Sequence, residues 1–337
     1  MVATGQLKNA ETSSKRAADT GVLLLEFGLN KPTSERAIQA IARMNFLHSR
    51  HQKSGKITNN DMLYALSIFA LEPARWINKY EWRSMTDVEL CACGTYWRSM
   101  GDAMEISYTN LPSSVKGWQD GLHWLTEMEE WSDQYEKAHM VPADTNRRLA
   151  DSQFENLLPK LPTRYRDHCL KMVIVLLGDR LRQSMMYARN TCRQARLMRC
   201  YRYHESPAIY HDIVNGVLYA RKLLLRYFAL PRPDFLRNHW IDDMPNRYER
   251  YFLFDYLAHP WYVRPSFAQR WGPRAWVTRL LGYKVPGDDG DKYSPQGYII
   301  TEIGPQHLSG KGKEDMDKIQ TRLISLDRGR CPFSSMQ

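Results

Sequence analysis

Residues 34–51, SERAIQAIARMNFLHSRH, carry the pattern that decides the fold class. Apolar and histidine side chains recur there at steps of four and three residues: Ala37, Ile41, Met44, His48 and His51. This spacing aligns side chains along one face of an α-helix. The stretch therefore predicts an amphipathic helix that buries its apolar stripe and turns both histidines inward with it.

Capping residues indicate where this helix and the next ones begin. Thr33 or Ser34 can cap the first helix, and a capping-box pattern at Thr58 and Asp61 precedes the apolar run MLYALSIFAL. Because proline suits a first helical turn, Pro73 is expected to open a third helix. The pattern is typical of helices joined by short loops.

A second capping box, from Thr86 to Glu89, begins a helix that contains Gly94 and Gly101. Glycine inside a helix costs about 1 kcal/mol relative to alanine, so each of these glycines needs a packing reason. A neighbouring helix and the flat face of a cofactor explain them equally well.

Alternating strand patterns are nearly absent and no sequence repeat occurs, so we expect an all-α fold. It should be a single large helical domain over residues 21–285. Residues 1–20 are polar and rich in Ser, Thr and Lys, which predicts disorder. Residues 286–337 follow a change to Gly, Asp and Pro and should be a loosely ordered tail.

The net charge of +10 is consistent with a solvated surface, an anionic membrane surface or nucleic acid. Five arginines at steps of three or four residues form one basic stripe: Arg189, Arg193, Arg196, Arg199 and Arg202. A solvated face is the simplest explanation, a membrane surface is the next, and nucleic acid is not expected.

The sequence contains no run of about 20 apolar residues, the length that a spanning helix needs, and no secretory signal. Its six cysteines include no C-x-x-C spacing, which favours reduced thiols on the cytosolic side of a membrane or in the cytosol. The chain is expected to be cytoplasmic if it is complete.

The inward histidines have two explanations: hydrogen-bonded core residues, or ligands of a metal or haem iron. Arg43, a little over one turn before His48, favours the ligand hypothesis. His123 is an alternative on a later helix. Glu136 and His139 form one Glu-x-x-His motif, whereas a carboxylate-bridged di-iron site requires two.

Several enzyme classes have no support in the sequence, which contains no G-x-S-x-G, H-E-x-x-H, G-x-x-x-x-G-K-[ST] or G-x-G-x-x-G motif. A helical chain with inward histidines and many aromatic and methionine side chains instead suits a large apolar cofactor or substrate.

An ordered series of short motifs resembles one known family over roughly residues 20–285. The motifs are RMNFLH at 43–48, NDMLY at 60–64, EPARW at 72–76, GDAM at 101–104, GWQDG at 117–121, HMVP at 139–142, GDRLR at 178–182 and LPRP at 230–233. They resemble the mpaB-type fungal ER-bound oxygenases, which are related to the catalytic domain of rubber oxygenases, the latex-clearing proteins.

The resemblance implies a globin-like core with additional helices, holding haem b through an axial histidine, with an arginine on the distal side. It implies a haem-dependent oxygenase that uses dioxygen to cleave or oxygenate an isoprenoid or other lipophilic small molecule in secondary metabolism. It also implies a location at the cytosolic face of the endoplasmic reticulum membrane.

The resemblance matches Arg43 to the distal arginine and places His48 on the matching helix. Rubber oxygenases hold their axial histidine further along the chain, but this sequence has no histidine between His51 and His123. His48 is therefore the first choice for the iron ligand, because it lies on the buried stripe. His123 follows, and then His51 and His139. Arg43 is expected to stabilise negative charge on bound dioxygen or on a haem propionate.

A second hypothesis comes from a different functional class. The arginine stripe and the tryptophans also suit a non-enzymatic helical protein that binds lipid or a membrane surface. Haem in the purified protein separates the two hypotheses, since only the oxygenase requires it.

Overall fold

The helical periodicity of the sequence is realised in a computed structural model, which describes residues 10–157, 163–187, 208–230, 233–234, 238–326, 328–329 and 331–333. Twelve α-helices lie within these residues: α1 (Ala10–Leu29), α2 (Glu35–Lys53), α3 (Asn59–Tyr80), α4 (Asp87–Ala103), α5 (Gly121–His139), α6 (Asp144–Leu157), α7 (Thr163–Leu176), α8 (Asp179–Ser184), α9 (Ala208–Tyr227), α10 (Phe267–Trp271), α11 (Pro273–Leu280) and α12 (Lys313–Ser325). The described ranges contain isolated β-bridges but no strand. The all-α prediction is confirmed.

The helix starts predicted from capping residues are also confirmed. The Ser34 hydroxyl accepts a hydrogen bond from the backbone N–H of Ala37 and caps α2. Thr58 and Asp61 form a reciprocal capping box at α3. Thr86 and its partner three residues later do the same at α4. Each cap satisfies backbone donors that have no partner inside the helix.

Helix α2 lies at the centre of the main hydrophobic core and packs against α1 and α12. Its fully buried side chains include Ala37 and Ile41 from the predicted stripe. Helices α4 and α5 pack closely because Gly94 lies against Gly121, where a methyl group would overlap the Gly121 carbonyl. Gly101 likewise faces Tyr108. Neighbouring protein atoms therefore explain both glycines.

Pro73 lies inside α3 and does not open a separate helix, so that prediction is wrong. A proline within a helix removes the hydrogen bond to the carbonyl four residues earlier, which is that of Phe69. Both Pro73 and Phe69 are exposed. Water can therefore satisfy this carbonyl, and the helix continues.

The chain ends contribute more to the core than the sequence suggests. Within residues 1–20, where disorder was expected, α1 begins at Ala10 and buries Ser13 and Asp19. Within the expected loose tail, the main core includes Tyr298, Ile300, Ile303, Met316 and Leu323. Tyr298, Ile300 and Ile303 lie among glycines and polar residues without a sustained period, whereas Met316 and Leu323 share one face of α12 at a helical spacing. The expectation of a loose tail is corrected for these residues.

Two glycines let the C-terminal chain pass close to α2. Gly304 and Gly312 have φ values of 123° and 83°, which side-chain-bearing residues rarely adopt. Gly304 lies against Leu47, and a methyl group on Gly312 would overlap the ring of Phe46. The segment 303–312 therefore wraps the outer face of α2.

The sequence suggested a basic arginine stripe and no membrane-spanning helix, and the structure bears on only the second of these. The arginine stripe of residues 189–202 lies outside the described residues. Within the described part of the chain, no helix is both long enough and apolar enough to cross a membrane.

Candidate functional site

Arg43 is completely buried on α2, where its guanidinium binds backbone carbonyls. It donates to three of them: Ile303 at 2.7 Å from Nε, Leu308 at 3.0 Å from Nη2 and Lys311 at 3.1 Å from Nη1. Burial lowers the pKa of Arg43, while Glu302 and Asp19 act in the opposite direction. Arginine nevertheless stays charged in proteins. Arg43 therefore fastens the segment 303–312 to α2 and holds a positive charge in the core.

His48 differs from the other candidate histidines because its Nδ1 atom is buried and has no hydrogen-bond partner among the described residues. Burial, together with the nearby charges of His51 and Arg16, lowers the pKa of His48 to about 4. The imidazole is therefore neutral at physiological pH. A metal ligand must be neutral in the same way, since the metal binds the ring lone pair.

Arg43 and His48 leave α2 in different directions. Five residues along a helix correspond to a rotation of about 140°. Arg43 faces the segment 303–312. His48 instead lies near Arg16 of α1, whose positive charge contributes to the lowered pKa of His48. The structure thus places both residues on the predicted helix but on different faces. The role of Arg43 beside bound dioxygen stays a prediction.

A buried polar network lies on α1. Asp19 accepts hydrogen bonds from the Tyr262 hydroxyl and from Lys15 Nζ, both at 2.7 Å, and Lys15 also donates to the Gly304 carbonyl. Tyr262 has a φ of 63°, a costly conformation for an aromatic residue. Burial raises the pKa of the Asp19 carboxyl and of the Tyr262 hydroxyl. The network therefore holds α1 to the strained loop that contains Tyr262.

The same loop contributes two residues that sequence reasoning missed. His259 Nδ1 and Trp261 Nε1 are buried and have no hydrogen-bond partner within the described ranges. Both rings pack against Tyr293, with centroids 5.3 and 5.0 Å away, and Lys15 lies 5.6 Å from the Trp261 ring centroid. Unpartnered buried polar atoms are rare and can mark ligand sites. Only the aromatic-rich composition of this loop could have pointed to them.

His123 is tied into the start of α5 and is about one-third exposed. Its Nε2 lies 3.3 Å from the Glu127 carboxylate, and its Nδ1 accepts from the backbone N–H of Gln119. Glu127 also accepts from Ser113 and from the Trp118 indole. Although burial opposes its charge, these donors keep the pKa of Glu127 below its usual value. Both ring nitrogens of His123 are occupied, which makes it a weaker ligand candidate than His48.

The remaining candidates do not form a metal site together. His139 is exposed, stacks on Tyr135 with ring centroids 4.2 Å apart and contacts the Tyr135 carbonyl. Glu136 instead accepts from Arg180 at 2.7 Å, and His51 is half-buried near the end of α2. Across the residues that the structure describes, no group of three or more His, Cys, Asp or Glu could hold a metal ion.

The chemistry of His48 fits a haem. Haem iron takes one or two axial protein ligands, because the porphyrin supplies the other four. A single neutral imidazole with an unpartnered, buried ring nitrogen therefore provides the one axial ligand that a haem needs from the protein. Among the four candidate histidines, only His48 has this combination.

Comparison with known proteins identifies close relatives in Penicillium. The ER-bound oxygenase mpaB' of Penicillium brevicompactum is 42% identical over 331 residues, which are 98% of this chain and 74% of the relative. The ER-bound oxygenase mpaB of the same species is 40% identical over 295 residues, which are 87% of this chain. A Penicillium roqueforti protein, also named ER-bound oxygenase mpaB, is 46% identical over 187 residues, 56% of this chain.

This chain spans 64% and 63% of the lengths of the second and third relatives. No family model matches the chain, and no solved structure is detectably similar to it. The globin-like character of the core therefore stays a prediction.

Proposed function

We propose, from the premise that this chain belongs to the mpaB family of ER-bound oxygenases, that it is a haem-dependent oxygenase of an isoprenoid or other lipophilic small molecule in secondary metabolism. The relatives in that family are named oxygenases, and 42% identity over 98% of the chain makes this protein an oxidoreductase enzyme. The non-enzymatic alternative is thereby set aside.

The observation that carries the haem proposal is the buried, unpartnered Nδ1 of His48. A buried polar atom without a hydrogen-bond partner destabilises the folded protein, because it has lost its contact with water. Coordination of iron through Nδ1 would give this atom a partner, and it requires the neutral imidazole that the burial of His48 favours.

In this proposal the residues around α1 and α2 have different roles. His48 would hold the iron, and the haem would supply the binding and activation of dioxygen. Arg43 holds the segment 303–312 in place through its three carbonyl contacts. Trp261 Nε1 and His259 Nδ1, which have no partner among the described residues, would bind a polar group of the substrate.

We extend the proposal to the cytosolic face of the endoplasmic reticulum membrane. The named relatives are ER-bound, and a net charge of +10 favours anionic cytosolic lipid surfaces. A lipophilic substrate also partitions into that membrane, which brings the enzyme and its substrate together.

Dioxygen uptake tests the proposed reaction. The purified protein, supplied with haem and a prenylated aromatic compound, should consume dioxygen and release products with an oxygenated or shortened side chain, as read by mass spectrometry. A control compound with a fully saturated side chain should give little uptake if the double bonds react. Protein without haem or iron, or uptake that does not depend on haem, would contradict the proposal.

A further inference from the structure

Helix α9 carries an apolar stripe that the described part of the protein leaves uncovered. Its members recur at steps of four and three residues: Ile209, Ile213, Val217, Ala220, Leu224 and Tyr227. All six are exposed, with Val217 at 62% and Leu224 at 58%. Phe228 and Leu230, just after the helix, are exposed at 77% and 89%.

A different face of α9 makes the contacts with the protein. Val214 is the buried residue of this helix, and Tyr210 contacts His168 of α7. Arg221 pairs with Glu81 at 2.9 Å, just beyond the end of α3. The helix therefore packs through one face, while none of the described residues covers its apolar stripe. A contiguous apolar surface of this kind indicates an interaction site.

The charges on α9 favour an anionic partner. The helix contains three basic residues, Arg221, Lys222 and Arg226, and one acidic residue, Asp212, which gives a net charge of +2. The five arginines of residues 189–202 precede it in the sequence. An apolar stripe on a helix whose opposite face carries basic residues is the pattern of helices that lie in the plane of a membrane interface.

We propose that α9 is an in-plane membrane helix, which inserts its stripe of Ile213, Val217 and Leu224 into an anionic lipid surface. A helix of 20 residues is about 30 Å long, so its whole length can rest on the headgroup layer. The inference rests on the proposed association with the endoplasmic reticulum membrane and assigns it to a particular surface.

A lipid surface suits α9 better than a second copy of the chain. A symmetric dimer through the stripe would bury apolar surface but would make no use of the positive charge of the helix, because Lys222 and Arg226 lie on the other side of α9. Anionic headgroups attract the same residues, each of which contributes on the order of 1 kcal/mol near the surface.

Vesicle flotation of the full chain tests the proposal. The probes are phosphatidylcholine vesicles with and without phosphatidylserine, at low and high salt. The variant Ile213→Asp, Val217→Asp, Leu224→Asp should bind about 1000-fold more weakly, because each of the three apolar side chains contributes roughly a factor of ten. The matched control Val88→Asp, Val115→Asp changes exposed valines outside α9 and should bind like the wild type.

A second variant separates the basic residues from the stripe. Lys222→Gln with Arg226→Gln should weaken binding to phosphatidylserine vesicles by roughly tenfold and reduce its salt dependence. Circular dichroism should show that all variants are folded. Because flotation needs neither haem nor turnover, its failure leaves the oxygenase proposal standing.

Three results would overturn the assignment to a lipid surface. The wild type could fail to float with either kind of vesicle, or the triple variant could float as well as the wild type. The wild type could also form dimers that the triple variant abolishes, without vesicle binding, which would assign the stripe to a second copy.

Discussion

Helices α2 and α9 have similar lengths, 19 and 20 residues, and both have apolar side chains at helical spacing, yet their surroundings are opposite. Seven residues of α2 are buried, including Arg43, whereas Val214 is the buried residue of α9. Periodicity thus predicts that a helix forms, but it does not reveal what its apolar face contacts. In α2 that face meets the protein core, and in α9 we propose that it meets lipid.

The largest expected difference between the two helices concerns their arginines. Arg43→Met should lower the free energy of unfolding by about 3 to 5 kcal/mol, because three buried carbonyls lose their donor. Arg226→Met on exposed α9 should change it by less than about 0.5 kcal/mol. Urea unfolding followed by circular dichroism measures both. Equal effects would remove the distinction between a core helix and a peripheral one.

Glycines allow a second contrast of intermediate size. Gly94→Ala should destabilise the protein by about 2 kcal/mol, since the new methyl group overlaps the Gly121 carbonyl and backbone cannot easily move. Gly216→Ala on α9 meets no atom within 4 Å and should stabilise the protein by up to about 1 kcal/mol through helix propensity. Thermal unfolding of both variants measures these changes. A Gly94→Ala protein as stable as the wild type would show that α4 and α5 are packed more loosely than the structure indicates.

The smallest effect concerns a buried carboxylate. Glu127→Gln should cost about 1 kcal/mol at pH 7, because a charged acceptor of several hydrogen bonds becomes neutral. The pKa of Glu127 lies below its usual value in the folded protein, so this contribution is fully present above the usual pKa, declines below it and is lost as the pH falls through the lowered pKa. The difference between wild type and variant should therefore shrink at pH 4. The exposed Glu130→Gln is the control and should show little effect at either pH.

Local sequence signals predicted most of the helical framework. The capping boxes at Thr58 and Thr86 depend on residues three positions apart, so the sequence alone is sufficient to find them. The inward position of His48 follows from helical spacing in the same way. Helix α5 begins at Gly121 because Asp120 caps it, whereas the apolar pattern alone does not fix that boundary.

Long-range contacts escaped prediction for a physical reason. The carbonyl that Arg43 binds at Ile303 is 260 residues away in sequence, and no local pattern encodes such a pair. Ile300 and Ile303 follow no sustained helical or strand period, so their place in the core could not be predicted. Met316 and Leu323 of α12 are seven residues apart, a helical spacing that could have been recognised. His259 and Trp261 were missed because their burial depends on packing against Tyr293.

The most direct test of the account is the visible absorption spectrum of the purified protein, measured with pyridine to quantify haem. The wild type should show a Soret band and one haem per chain, and His48→Ala should lose the haem or shift the band. His123→Ala, the matched control, should leave the spectrum unchanged, since both of its ring nitrogens already have partners. A His48→Ala protein with full haem occupancy and the wild-type spectrum would contradict the assignment of His48 as the iron ligand.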